Sequence, residues 1–230
     1  MSFTTPSPNA PREIKPFTLF QEAFAEVGPI YLPLIILLSP TIVLPIVQVL
    51  APDLKVVVSL VNALILTPIF SSAVIYFVYR YIQSETVDIQ GAFTQALSNI
   101  GNLAVGFLLT VLSVVAGFLG LIIPGIYLAI QLSFVLYAIT IEGDSGIDGM
   151  KSSWALVKGR WWPVFGSVIL PQLFIFVPMV AVGVIAGVTL GKNAGPVASI
   201  LGAVLGLLVT PILSLYFVKV YLRLKAIAAA

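Results

Sequence analysis

Read along the chain, charges fall in short clusters separated by long runs that carry none. Glu26 and Asp53 bracket 26 uncharged residues, Lys55 and Arg80 bracket 24, and Asp88 and Glu142 bracket 53. Arg160 and Lys192 bracket 31, and Lys192 and Lys219 bracket 26. A helix rises about 1.5 Å per residue, so about 20 apolar residues cross a hydrocarbon core. Four of these runs hold one span each. The 53-residue run holds a short surface helix and two spans that reverse at Leu121-Ile122-Ile123-Pro124-Gly125, where proline and glycine punctuate the apolar stretch. The expected fold is all-α and polytopic, with six spans at about 30–50, 56–80, 102–122, 125–141, 164–189 and 197–219.

Ahead of each hairpin the apolar positions take helical spacing in a more polar context. Phe17, Phe20, Phe24 and Val27 step by 3, 4 and 3; Ile89, Phe93, Ala96 and Ile100 step by 4, 3 and 4. Ile147, Met150, Trp154, Val157 and Trp161 step by 3, 4, 3 and 4. Each set is one face of a helix. Thr18-x-x-Gln21 and Ser145-x-x-Asp148 have capping-box spacing, Thr86 or Asp88 suits the middle start, and Gly28, Gly101 and Gly159 suit the ends. The phrase Thr67-Pro68-Ile69-Phe70-Ser71 returns as Thr210-Pro211-Ile212-Leu213-Ser214, with Arg80 and Arg223 at equal distances beyond. The pattern predicts three copies of one unit, a short inner-surface amphipathic helix followed by a transmembrane hairpin.

Composition narrows the class. Hydrophobic residues make up 60% of the 230 and charged ones 9%, with a mean hydropathy of +1.13. Soluble domains carry roughly 25% charged residues, so lipid must cover most of this surface. Residues 1–16, with four prolines, read as a disordered tail ahead of a single domain over 17–230, and no cleaved signal peptide is expected. Placing the N-terminus inside puts Arg12, Lys15, Arg80, Lys151, Lys158, Arg160, Lys219, Arg223 and Lys225 inside, and only Lys55 and Lys192 outside. That bias predicts two cytoplasmic termini. The net charge of +2 points to no nucleic acid.

Candidate chemistry is sparse. There is no cysteine and no histidine, which removes thiolate nucleophiles, imidazole bases and the usual zinc sites. No nucleophile–base pair or phosphate loop is legible, so neither catalytic residues nor a cofactor are expected. Glu142, Asp144 and Asp148 offer either oxygen ligands for a hard cation or favourable charge at a helix start. Lys151, Trp154, Lys158, Arg160, Trp161 and Trp162 hold all three tryptophans and form the candidate lipid interface, either a plain anchor or a site for anionic phospholipid. Pro33, Pro40, Pro45, Pro68, Pro171, Pro178 and Pro211 fall inside spans and are expected to kink or break them. Gly183, Gly187, Gly191 and Gly195 recur every four residues, suiting close packing within the last hairpin first and oligomerisation second.

The stretch Ile122-Ile123-Pro124-Gly125-Ile126-Tyr127, through Glu142-Gly143, to Ser153-Trp154-Ala155-Leu156-Val157-Lys158-Gly159-Arg160-Trp161 resembles bacterial membrane proteins related to the membrane domain of glycerophosphoryl diester phosphodiesterases. The match covers about forty residues, and Gln131 stands where that family has a basic residue. The resemblance implies a six-helix module of the bacterial inner membrane without the soluble catalytic domain. The expected role is therefore non-enzymatic, through contacts with membrane lipids, a membrane protein partner or a second copy. The alternative is a small permease or channel-like component using its proline-bearing helices.

Overall fold

A computed structural model describes residues 14–43, 47, 52–86, 88–191 and 194–229. The expected disordered tail lies almost wholly outside the described residues, as do Pro45 and Lys192. The described residues are helical apart from short connections, with no strand among them.

Helix α1 (Pro16–Glu26) turns at Val27 into α2 (Gly28–Leu38), at 86° between α1 and the segment Gly28–Thr41. Pro29 has no N–H to continue the α1 ladder, so the chain bends there. Next come α3 (Lys55–Val61), a π-helical turn (Asn62–Leu66) and α4 (Thr67–Ile82), which form one long element. The π turn closes on the amide of Thr67, which donates to the Asn62 carbonyl one residue ahead of Pro68. Then follow α5 (Ile89–Ser98), α6 (Ile100–Gly120) and α7 (Ile122–Gln131), a short α8 (Val135–Tyr137) leading into a second π turn (Ala138–Glu142), and α9 (Gly146–Val157). Two long helices close the chain, α10 (Trp161–Leu190) and α11 (Ala194–Ala229).

Among the described residues, five helical stretches are long and apolar enough to cross a membrane: Val56–Ile82, Ile100–Gly120, Ile122–Glu142, Trp161–Thr189 and Ile200–Ala229. The first expected span is represented by α2 and a 3-10 turn, Ser39–Ile42. The predicted reversal falls at Leu121, whose extended backbone separates α6 from α7. These two helices meet at glycines: a Cβ on Gly117 would lie 3.0 Å from the Gly125 Cα, and one on Gly125 would overlap the Phe118 ring.

Three short helices stand where periodicity put them, and two of the expected caps form. Asp88 accepts from Gly91 N–H at 2.8 Å, and Ser145 accepts from Asp148 N–H at 3.1 Å. The first start differs. α1 begins at Pro16, whose missing N–H suits a first turn, so Thr18 lies inside the helix and caps nothing. The expected stripe is the packed face only in part: Val27 is buried and Phe20 packs on the core beside buried Leu19 and Ala23, while Phe17 and Phe24 are exposed. Gly28 opens α2 and Gly101 lies within α6; Gly159, at φ 79°, is the one of the three that terminates its helix.

The long helices continue unbroken through Pro171, Pro178 and Pro211. At Pro171 the structure supplies a replacement donor. The proline removes the N–H that would bond the Ser167 carbonyl, and the Tyr216 hydroxyl donates to that carbonyl at 2.9 Å. Near Pro211, Tyr31 donates to the Leu208 carbonyl at 2.8 Å, pinning α2 to α11. Gly183 and Gly187 face open space, so they do not pack the last hairpin; Gly202 does, since a Cβ there would lie 3.0 Å from the Met179 Cε. Phe176, Val177, Val184, Ile185 and Val188 are likewise exposed along the far half of α10.

Candidate functional site

The residues expected to meet lipid divide into two groups. The three indoles come together. Trp161 stacks on Tyr127 with centroids 6.0 Å apart and on Phe165 at 4.9 Å, Trp154 meets the Tyr127 edge at 6.1 Å, and Trp162 meets Trp161 edge-on at 4.9 Å. Trp162 stays 75% exposed and Trp154 38%, so two rings of the cluster remain open to the surroundings. The basic residues are less uniform. Lys151 is paired with Asp148 at 2.8 Å, and the Arg160 guanidinium donates to the Ile227 carbonyl at 3.3 Å near the end of α11. Lys158, just past α9, is exposed.

The acidic residues each find a separate task. Glu142 accepts from the Tyr221 hydroxyl and pairs with Lys225 at 2.6 Å; Asp144 accepts from Ser152 at 2.5 Å. Asp148 holds Ser145 and Lys151, and those hydrogen bonds, that of Lys151 foremost, draw its carboxyl below the usual aspartate range. Among the described residues no group of three or more acidic side chains is placed to hold a metal. Lys219 reaches Glu26 at 2.7 Å and Glu22 at 3.7 Å, tying α11 to α1. Ion pairs thus join α1, the end of the second π turn and α11 into one charged end.

A second site was not legible as a site in the sequence. A cavity of about 540 Å³ opens between α2, the π turn before α4, α4 itself, the 133–137 segment and α11. Asn62, Thr67, Ser71 and Tyr137 line it, as do Thr41, Ser133, Thr210 and Ser214, together with apolar side chains such as Phe70 and Leu136. Thr67 lies about 16 Å along its candidate span from Val56, and Thr210 about 15 Å along its own from Ile200, so both sit well inside the apolar stretches rather than at their ends. Toward the charged end, Ser72 and Thr140 hydrogen-bond each other at 2.9 Å, both buried, and Tyr137 stacks on Tyr221 at 5.6 Å. The signal available in the sequence was the repeated Thr-Pro-Ile-x-Ser phrase, which places a threonine and a serine in step on each of two helices.

Between these two sites α9 is locked to the break after α7. Ser153, fully buried, donates to the Gln131 carbonyl at 2.9 Å and accepts from the Phe134 N–H at 3.2 Å. The Gln131 amide donates to the Trp154 carbonyl at 2.9 Å. Gln131 is therefore a buried strut under the tryptophan cluster.

No curated protein and no solved structure matches the chain. A family model does match, over residues 47–224, and that stretch holds the whole tryptophan cluster and every cavity residue except Leu38 and Thr41. The chain belongs to this family, a domain of unknown function (DUF7847).

Proposed function

We propose that this chain is a non-enzymatic six-span module of a bacterial inner membrane, with both termini cytoplasmic, that works through lipid contacts and positions lipid or a partner protein. The observation that carries this reading is the half-open tryptophan cluster beside Lys158 at the start of α10. Indoles and lysines favour the headgroup layer, where the ring is half apolar and the ammonium can reach phosphate. Near an anionic leaflet each basic residue contributes about 1 kcal/mol of attraction, which salt screens. The nine-to-two distribution of basic residues supports the orientation. The right-angle bend at Val27 supports an in-plane α1, with α2 as the sixth span. The likeness of residues 122–162 to the membrane domain of glycerophosphoryl diester phosphodiesterases supports the same module.

Native mass spectrometry from phosphatidylglycerol-containing micelles tests the lipid role. Lys151→Gln combined with Lys158→Gln, and separately Trp162→Ala, are expected to lower retained anionic lipid, with the fold intact because the buried side of α9 is untouched. Arg160 is left in place, since it holds the end of α11. Equal retention in parent and variants overturns the lipid role. Because the chain has no cysteine, single cysteines read topology directly. Ser145→Cys and Ala229→Cys should be reached by maleimide from the cytoplasmic side and Asp53→Cys from the other; the reverse overturns the orientation.

A permease-like role is the second reading, favoured by the cavity inside the apolar stretches and the prolines, Pro68 and Pro211, on two of its walls.

A further inference from the structure

Two copies of one phrase meet across the cavity. Thr67 and Ser71 come from the first Thr-Pro-Ile-x-Ser and Thr210 and Ser214 from the second, 143 residues further along, and all four line the same space. Their hydroxyls are not equivalent. Thr210 donates to the Gly206 carbonyl at 2.6 Å and Ser214 to the Thr210 carbonyl at 2.8 Å. Thr41 and Ser133 do likewise, toward the Leu38 and Ile130 carbonyls at 2.6 and 2.9 Å. With their protons committed to their own helices, these four oxygens offer lone pairs to the cavity. The side chains of Thr67, Ser71, Asn62 and Tyr137 have no hydrogen-bond partner among the described residues, so their donors stay available. Four lining hydroxyls are thus left to accept from a bound molecule, and four lining side chains can still donate to one.

Among the described residues, no Asp, Glu, Lys or Arg lines the cavity. An ion there would lose its hydration with no opposite charge to replace it, which is the most costly way to occupy such a site. Water could satisfy the hydroxyls, but it would leave Phe70, Leu136 and the other apolar walls wetted well inside the apolar stretches. A molecule with several hydroxyls on a short carbon skeleton matches this lining: its hydroxyls donate to the first set and accept from the second, and its C–H faces suit the apolar residues.

We propose that the cavity is a binding site for an uncharged polyhydroxylated group, held between the two Thr-Pro-Ile-x-Ser phrases. The same chemistry is presented by the headgroup of a neutral lipid and by a free polyol, and two probes separate these sources. The full chain in detergent is equilibrated with 1-monooleoylglycerol, followed by native mass spectrometry, and with tritiated glycerol, followed by scintillation proximity. Oleylamine and oleyl phosphate serve as charged counterparts. Saturable retention of monooleoylglycerol alone assigns a lipid headgroup, and saturable glycerol binding assigns a free polyol.

In either case Thr67→Val with Ser71→Ala is expected to weaken binding at least tenfold. Thr67→Ser, which keeps the hydroxyl, should bind as the parent does. Thr189→Val, which removes a hydroxyl outside the cavity, should also leave binding unchanged. If the double variant fails to fold, Ser71→Val alone carries the same expectation. The proposal is overturned if neither probe binds saturably, if the charged counterparts are retained equally well, or if the folded hydroxyl-less variants bind as the parent does. The lipid role of the tryptophan cluster is read separately, from anionic-lipid retention, so either can fail without the other.

Discussion

Tyr216→Phe removes one oxygen from a fully buried ring and leaves the ring packing in place. That oxygen donates to the Ser167 carbonyl, which Pro171 has stripped of its helical donor. The loss is therefore a hydrogen bond plus an orphaned carbonyl in an apolar interior. A net hydrogen bond is worth about 1 kcal/mol, and an unsatisfied buried partner costs about 1–3 kcal/mol. Interhelical bonds in membranes measure nearer 0.6 kcal/mol on average, because the unfolded chain in the membrane also finds partners. The expected destabilisation is about 1.5 kcal/mol. The decisive control is Pro171→Ala, which returns the missing N–H. In that background the Ser167 carbonyl has a helical donor again, so Tyr216→Phe should cost less than about 0.5 kcal/mol, a coupling of roughly 1 kcal/mol across the cycle. Equilibrium unfolding in mixed micelles against the mole fraction of dodecyl sulfate measures all four proteins. Tryptophan emission is a suitable signal, since Trp161 and Trp162 lie in the first turn of α10 and Trp154 packs beside them through Tyr127. Strict additivity of the two substitutions would refute the idea that the tyrosine serves the carbonyl freed by the proline.

Ser153→Ala leaves the Phe134 N–H without its partner and is expected to cost about 2 kcal/mol in the same titration. Gly125→Ala drives a methyl into the Phe118 ring; it should cost about 1–3 kcal/mol, and Phe118→Leu should recover part of that loss. Asp148 has a folded pKa below its unfolded value, so its contribution to the α9 start is present above the unfolded pKa. That contribution is lost as pH falls through the folded one, below about pH 4. The protection of the amide hydrogens in the first turn of α9, taken relative to the intrinsic exchange rate at each pH, should fall in that acid range and hold between pH 5 and 8, and Asp148→Asn should abolish the acid step.

The sequence by itself determined the elements. Long uncharged runs, a Pro-Gly reversal after Gly120, side-chain caps at Asp88 and Ser145 and the three short periodic helices are all set by residues within a few turns of one another, and local physics places them. The position of α1 shows the limit, because the phenylalanine spacing is regular, yet what decided the buried face was the partner that Leu19 and Ala23 met. Only the tertiary structure decided which neutral hydroxyls share a space, since Thr67 and Thr210 look alike in sequence, and their difference lies in whether each proton is taken by a helix carbonyl. It also decided that Arg160 serves the end of α11, that Gln131 and Ser153 lock α9 under the tryptophans, and that Gly183 and Gly187 face outward. Each of these depends on contacts between helices far apart along the chain. Within a membrane, apolar surface alone does not choose those contacts, because lipid satisfies it equally well. The choice falls to the few polar groups, such as the Ser167 carbonyl and the Tyr216 hydroxyl, that must find each other.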